Sequence, residues 1–154
     1  MQVVWFAVQH LIFVKWWLPA RLRPPMLRLF GAQVGDRVLV RHGVRVLWPW
    51  KLTIGNDVWI GEGAWLYSME DIRIGRDVCV SQEAFLCTGS HDPRDATFPY
   101  KNAPIVLEDG TWIAAQVLVL PGAVVPSGTV VPARDRVTRD TFLPREPGEQ
   151  GSAP

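Results

Sequence analysis

Reactive side chains are scarce in this chain of 154 residues, which has three histidines and two cysteines. Cys79 and Cys87 cannot supply a zinc set of paired cysteines. They are read as small buried hydrophobic residues in a reducing compartment. Excess charge is lacking as well. The net charge is +1, with Lys and Arg scattered, which excludes the basic stripe of a nucleic-acid binder. No apolar run is long enough to span a membrane. Residues 3–18 read VVWFAVQHLIFVKWWL, with Gln9, His10 and Lys15 interrupting. This run has neither a basic start nor a small-residue cleavage site, so no cleavable signal peptide is expected. Most of the chain also shows neither the 3.6-residue period of a surface helix nor the alternation of a hairpin.

A period of six is present instead. Leu107, Ile113, Val119, Val125, Val131 and Val137 recur at every sixth position. Upstream, Val34, Val40 and Val46 form one set, Ile54, Ile60 and Leu66 a second, and Ile74, Val80 and Leu86 a third. The step is six within a set and eight between sets. This is the hexapeptide pattern of a parallel β-helix with three faces per coil and a two-residue bulge at one corner. Stacking coils buries one continuous aliphatic column. Gly35, Gly55, Gly61, Gly75, Ser81 and Ala114 follow aliphatic positions and are expected to serve tight corners. Trp48, Trp50, Trp59 and Trp65 are too bulky for so narrow an interior, so some are expected to face outward.

The length fits one domain. Residues 1–33 read as an apolar helix and linker, 34–140 as the β-helix, and 141–154 as a flexible, Pro- and Gly-rich tail. Two readings of residues 3–18 stand side by side. The helix either caps the open end of the aliphatic column or lies in a membrane surface, where Trp5, Trp16 and Trp17 would settle. Pro19 and the Pro24-Pro25 pair are expected to end this helix, and Met26 to Phe30 to approach the coil helically. The repeat fails between Leu86 and Leu107, so residues 88–104 must leave the coil and return. Loops on rigid scaffolds often carry chemistry. His91 stands in this loop, whereas His42 lies inside the first coil and is read as structural.

Several stretches resemble a known family. They are Leu29-Phe-Gly-Ala, Pro49-Trp-Lys-Leu-Thr-Ile-Gly, Val58-Trp-Ile-Gly-Glu-Gly, Leu86-Cys-Thr-Gly-Ser-His-Asp, Glu108-Asp-Gly-Thr-Trp-Ile and Val137-Thr-Arg-Asp. Together they resemble the hexapeptide-repeat acyltransferases, all-β proteins built on a left-handed parallel β-helix, and within them the colanic-acid-biosynthesis branch. The resemblance implies transfer of an acetyl group from acetyl-CoA to a sugar hydroxyl in surface-polysaccharide synthesis, with no metal. It makes His91 the general base that takes the hydroxyl proton. It assigns Trp112, Ala114, Ala115, Ala133, Thr138 and Arg139 to coenzyme A, and Asp92, Glu62 and Tyr67 to the acceptor. Asp92 also reads as a turn former. Transfer is direct, so neither cysteine serves as nucleophile. The resemblance further implies a homotrimer with sites between subunits, a free or lipid-linked sugar acceptor, and a cytoplasmic protein at or near the inner membrane face. Two other classes are weighed. One is a silent β-helix scaffold. The other is a metal-dependent hydratase, which needs three converging histidines where only His91 is suitably placed.

Overall fold

The computed structural model describes residues 1–143 apart from Pro93, Asp95 and Phe98. Among the described residues, fifteen short strands follow two α-helices, α1 (Gln2–Val8) and α2 (Arg23–Leu29). The first coil holds β1 (Gln33–Val34), β2 (Leu39–Val40) and β3 (Arg45–Val46). The second holds β4 (Leu52–Ile54), β5 (Trp59–Ile60) and β6 (Trp65–Tyr67). The third holds β7 (Ile72–Ile74), β8 (Cys79–Val80) and β9 (Phe85–Cys87). The fourth holds β10 (Ile105–Leu107), β11 (Trp112–Ile113) and β12 (Leu118–Val119). The fifth holds β13 (Val124–Val125), β14 (Val130–Val131) and β15 (Arg136–Val137). Every third strand joins one parallel sheet, giving three sheets of five strands around a common interior. The flexible tail expected over 141–154 lies outside the described residues beyond Leu143.

The sixth-position aliphatic residues fill that interior. Val40, Ile60, Val80, Ile113 and Val131 stack on one sheet, and Val46, Leu66, Leu86, Val119 and Val137 on another. All ten are buried. Burial of each large aliphatic side chain contributes about 1.5–3 kcal/mol, and the contributions run along the axis rather than into a globular centre. Register also fixes coil length. Thr53 pairs with Gln33 and with Arg73, so the early coils take 20 residues per turn. Val106 pairs with Val124, and the last coil takes 18. The extra pair of residues sits at the third corner, between the third sheet and the first, where Pro49–Lys51 forms a short 3-10 turn in the first coil. The excursion of 88–104 leaves the third coil at this same corner.

The glycines after the aliphatic positions stand at tight corners, as expected, and what demands them at Gly35, Gly55 and Gly75 is close packing rather than left-handed backbone. Left-handed backbone falls two residues beyond Gly35, Gly55 and Gly75, at Arg37, Asp57 and Asp77. Gly55 is required by close approach instead. A Cβ there would lie 2.7 Å from the carbonyl carbon and oxygen of Gly75 in the next coil. The strained corner residues are steadied from outside by polar ladders. In one of these, Arg37 Nη2 donates to Asp57 Oδ2 at 2.6 Å.

The N-terminal segment covers the open end of the first coil. Trp5, Phe13 and Leu27 are buried in the same cluster as Val40 and Val46. Trp5 Nε1 donates to Val46 O at 2.9 Å, and Val46 N donates to Gln9 Oε1 at 2.6 Å. The end of a coil leaves backbone groups without a next strand, and these bonds satisfy two of them. Arg23 is almost wholly buried and donates to Phe13 O at 2.8 Å and Lys15 O at 2.7 Å. Burial, then neighbouring Arg41, lowers its pKa from the ordinary arginine value. Helical backbone ends at Phe13 with a π turn over Gln9–Phe13, ahead of Pro19. Pro24 and Pro25 open α2 rather than closing a helix, as proline suits a first helical turn.

Two further expectations meet the structure on the outer faces. Trp59 and Trp65 point outward between buried neighbours, as interior crowding requires. Cys79 and Cys87 are not column residues. They share outward positions with Trp59 and Tyr67 and are half-buried.

Candidate active site

The described residues of 88–104 form a hairpin-like excursion stitched back to the coil at its base. Thr88 Oγ1 donates to Tyr67 O at 2.9 Å and accepts from Glu70 N at 2.8 Å, while Ala103 N donates to Thr88 O at 3.1 Å. Further out, Lys101 N donates to Ser90 O at 2.8 Å, and Asp92 N to Pro99 O at 3.1 Å. His91 and Tyr100 face each other across this antiparallel pairing. Their rings are 4.5 Å apart, tilted by 37°. Ser90 N donates to Asn102 Oδ1 at 3.0 Å, which closes the turn on the coil side of His91.

His91 borders a shallow cavity of about 100 Å³, lined with Tyr67, Met69, Gly89, Ser90, Tyr100 and Asn102. Gly89 is needed there, because a Cβ would come within 2.9 Å of Tyr67 Cε1 and 3.0 Å of Met69 Cγ. Tyr67 is held by an aromatic group on the outer face of the third sheet. Trp65 and Phe85 stack at 4.6 Å, Tyr67 meets Trp65 edge-on at 5.4 Å, and the Arg45 guanidinium lies 4.0 Å above Trp65. Such contacts fix a ring more firmly than its area alone. Asp92 is engaged as a turn former: its carboxylate accepts from Arg94 N at 3.0 Å and lies 3.7 Å from Lys101 Nζ. Met69, Tyr100 and Asn102 carried no sequence signal, since only the fold brings them beside His91; Ser90 stands in the family-like stretch but was not singled out.

Apart from Trp112, the remaining candidates lie on two edges of the third sheet. Thr138 and Arg139 follow β15 at the third corner, the corner of the excursion, and Arg139 Cδ lies near Gly122. Thr138 Oγ1 is tied to Thr141 Oγ1 at 3.1 Å. Glu62, Ala114, Ala115 and Ala133 lie at the second corner, between the second and third sheets. Glu62 Oε1 is 3.0 Å from His42 Nε2, and Arg134 N donates to Ala115 O at 2.9 Å. Trp112 is 51% exposed on the second sheet, its Nε1 donating to Ser81 Oγ at 2.9 Å. Within one chain, then, His91, Tyr67, Thr138 and Arg139 share one edge, while Ala114, Ala115 and Ala133 share another. Trp112 lies beyond that second edge. Burial pushes the thiols of Cys79 and Cys87 above the ordinary cysteine value, which disfavours the thiolate a nucleophile needs. Among the described residues, no three His, Cys, Asp or Glu side chains converge as a metal cluster.

This coil is the fold of the hexapeptide-repeat acetyltransferases, which are left-handed β-helices. Its backbone matches the acetyltransferase VCA0836 of Vibrio cholerae O1 biovar eltor, solved with acetyl coenzyme A, at a TM-score of 0.78 and 21% identity, over 91% of this chain and 79% of that one. It matches a galactoside acetyltransferase solved with coenzyme A at a TM-score of 0.77 and 17% identity, over 86% and 68% of the two chains. No family model matches the sequence. A curated relative is far nearer in sequence: the protein provisionally named colanic acid biosynthesis acetyltransferase WcaF in Escherichia coli K12. It is 43% identical over 137 residues, 87% of this chain and 74% of its own. The chain belongs to this WcaF-like family of acetyltransferases.

Proposed function

We propose that the protein transfers an acetyl group from acetyl-CoA to a sugar hydroxyl during synthesis of a surface polysaccharide of the colanic-acid kind. The observation that carries this reading is 43% identity to WcaF across most of the chain. The excursion supports it by holding one histidine at the mouth of a cavity on a rigid coil. The neutral His91 imidazole accepts the acceptor's proton as its oxygen attacks the thioester carbonyl carbon. A new C–O bond forms and the C–S bond breaks. The sulfur departs as the thiolate of coenzyme A, and the imidazolium gives up the proton that restores the thiol. Tyr67 borders the sugar, and Asp92 steadies the turn that carries His91.

The working unit in this reading is a homotrimer. A cavity of about 100 Å³ is small beside the ~300–1,000 Å³ of ligand pockets, and the candidate residues are split between two edges of one sheet. A threefold assembly that sets one chain's second corner against the next chain's third corner joins both halves. There Trp112, Ala114, Ala115 and Ala133 of one subunit and Thr138 and Arg139 of another flank the pantetheine arm, with Arg139 suited to a phosphate.

The test is transfer of radiolabelled acetyl from acetyl-CoA to polysaccharide precursors, with light scattering at micromolar concentration. His91→Ala is expected to lower kcat by about 10²–10⁴-fold, with coenzyme A affinity and melting temperature unchanged. Near-normal transfer by a folded His91→Ala protein would place the base elsewhere. A monomer that still turns over would sink the shared site.

A further inference from the structure

The segment that caps the coil uses only one of its faces to do so. Trp5, Gln9 and Phe13 turn inward. On the other side Val3 is 83% exposed, Phe6 62%, Leu11 68% and Trp16 79%, with Val4, Trp17, Leu22 and Leu29 exposed beside them in sequence. Covering an open end of a β-helix does not explain this second apolar surface, which is large for a soluble protein. Charge on the segment is one-sided. Residues 1–35 contain no Asp or Glu, and Lys15, Arg21 and Arg28 are exposed among the apolar groups. A cleft bounded by Trp16, Trp17, Arg23, Arg41 and His42 opens at the same end of the molecule. Its one buried cation, Arg23, has its guanidinium fixed by main-chain carbonyls. No helix is long and apolar enough to cross a membrane among the described residues.

We infer that residues 1–30 dock the protein, end-on, against an anionic lipid surface. Apolar side chains enter the acyl boundary, tryptophans settle at headgroup depth, and Lys15, Arg21 and Arg41 face lipid phosphates. A second copy of the chain is the less suitable occupant. Two such faces would bring like charges together with no acidic residue in either segment to offset them. The segment also crosses the end of the coil, whereas the split candidate site calls for contact along its side. A threefold assembly about an axis parallel to the coils points all three caps the same way, so each docking event raises the effective concentration of the next. That amplification rests on the trimer reading; docking itself does not, and it is measured without any substrate. A site held at a lipid surface suits an acceptor sugar carried on a lipid.

The test is co-flotation of the full chain with vesicles of phosphatidylcholine alone and of phosphatidylcholine with phosphatidylglycerol. Binding is expected to the anionic vesicles and to weaken with added salt. Lys15→Gln with Arg21→Gln is expected to lower partitioning about 30-fold, taking roughly fivefold for each cation. Phe6→Ser with Leu11→Ser is expected to abolish binding while melting temperature and acetyl transfer to a soluble sugar stay unchanged. No flotation with anionic vesicles overturns the proposal. So does flotation that these outer-face variants leave intact. A change in oligomeric state in Phe6→Ser/Leu11→Ser, without loss of flotation, would make the face a protein interface and overturn it equally.

Discussion

In the coils, a residue's neighbours are its own equivalents one turn away: Ile54 has Val34 on one side and Ile74 on the other. In the excursion no such repetition exists. Ser90 is held by Asn102 and Lys101, and His91 by its pairing with Tyr100, contacts that occur once in the molecule. The coil's stability is thus spread over many interchangeable rungs, while the geometry around His91 depends on a few singular bonds. If His91 is the base proposed above, stability belongs to one region and chemistry to the other. A protein built this way can vary its loop without endangering its fold.

The sharpest way to break that division is a cavity in the column. Leu66 is wholly buried between Val46 and Leu86. Leu66→Ala is expected to destabilise by about 2–5 kcal/mol, read as a lower melting temperature, because neighbouring rungs cannot close around the gap. Transfer below the melting transition should fall little. A large loss of kcat in the folded variant would show that the column and the site are not separable. The converse substitution is Asn102→Ala. It frees Ser90 N and loosens the turn that presents His91, and is expected to lower kcat by up to about 100-fold, the scale of an ångström's misplacement. Melting temperature should hold. Asn102→Asp, which keeps the accepting oxygen, should recover most of the rate if positioning is the cause.

The smallest effect runs in the opposite direction. Thr111 stands in the valine row of the first corner, 1% exposed, and its Oγ1 has no hydrogen-bond partner. Thr111→Val exchanges an orphaned hydroxyl for a methyl group. It is expected to raise stability by about 1 kcal/mol, since an unmade buried bond costs about 1–3 kcal/mol. Calorimetry decides it, and a fall in melting temperature would mean that the hydroxyl is satisfied in solution.

The coil was legible in sequence because its interior asks the same question at every sixth position, and Leu107 through Val137 answer it six times. The outward turn of Trp59 and Trp65 followed from size alone. The corner role of Gly55 was legible but not its cause, because a spacing shows that a residue is small and not whether φ or a neighbouring backbone requires it. The hairpin was illegible beyond its existence. Its two arms are polar and Pro-rich, without alternation, so nothing in the sequence paired His91 with Tyr100 or Ser90 with Asn102. The separation of Ala114, Ala115 and Ala133 from Thr138 and Arg139 was hidden too, since it depends on which corner each position reaches in a coil of 18.

The cap also sets a direction for assembly. Trp5 and Phe13 precede in the chain the coil they cover, so the ribosome delivers the lid before Val40 and Val46. The first coil is met by its cover as it forms, and every later coil finds three finished strand edges to lengthen. Growth needs only neighbouring contacts, so during synthesis it can proceed one rung at a time away from the lid. The unpaired edge therefore travels with synthesis, from β1–β3 at the start to β13–β15 at the close. The 88–104 hairpin is laid down in mid-journey, on a platform of three completed turns.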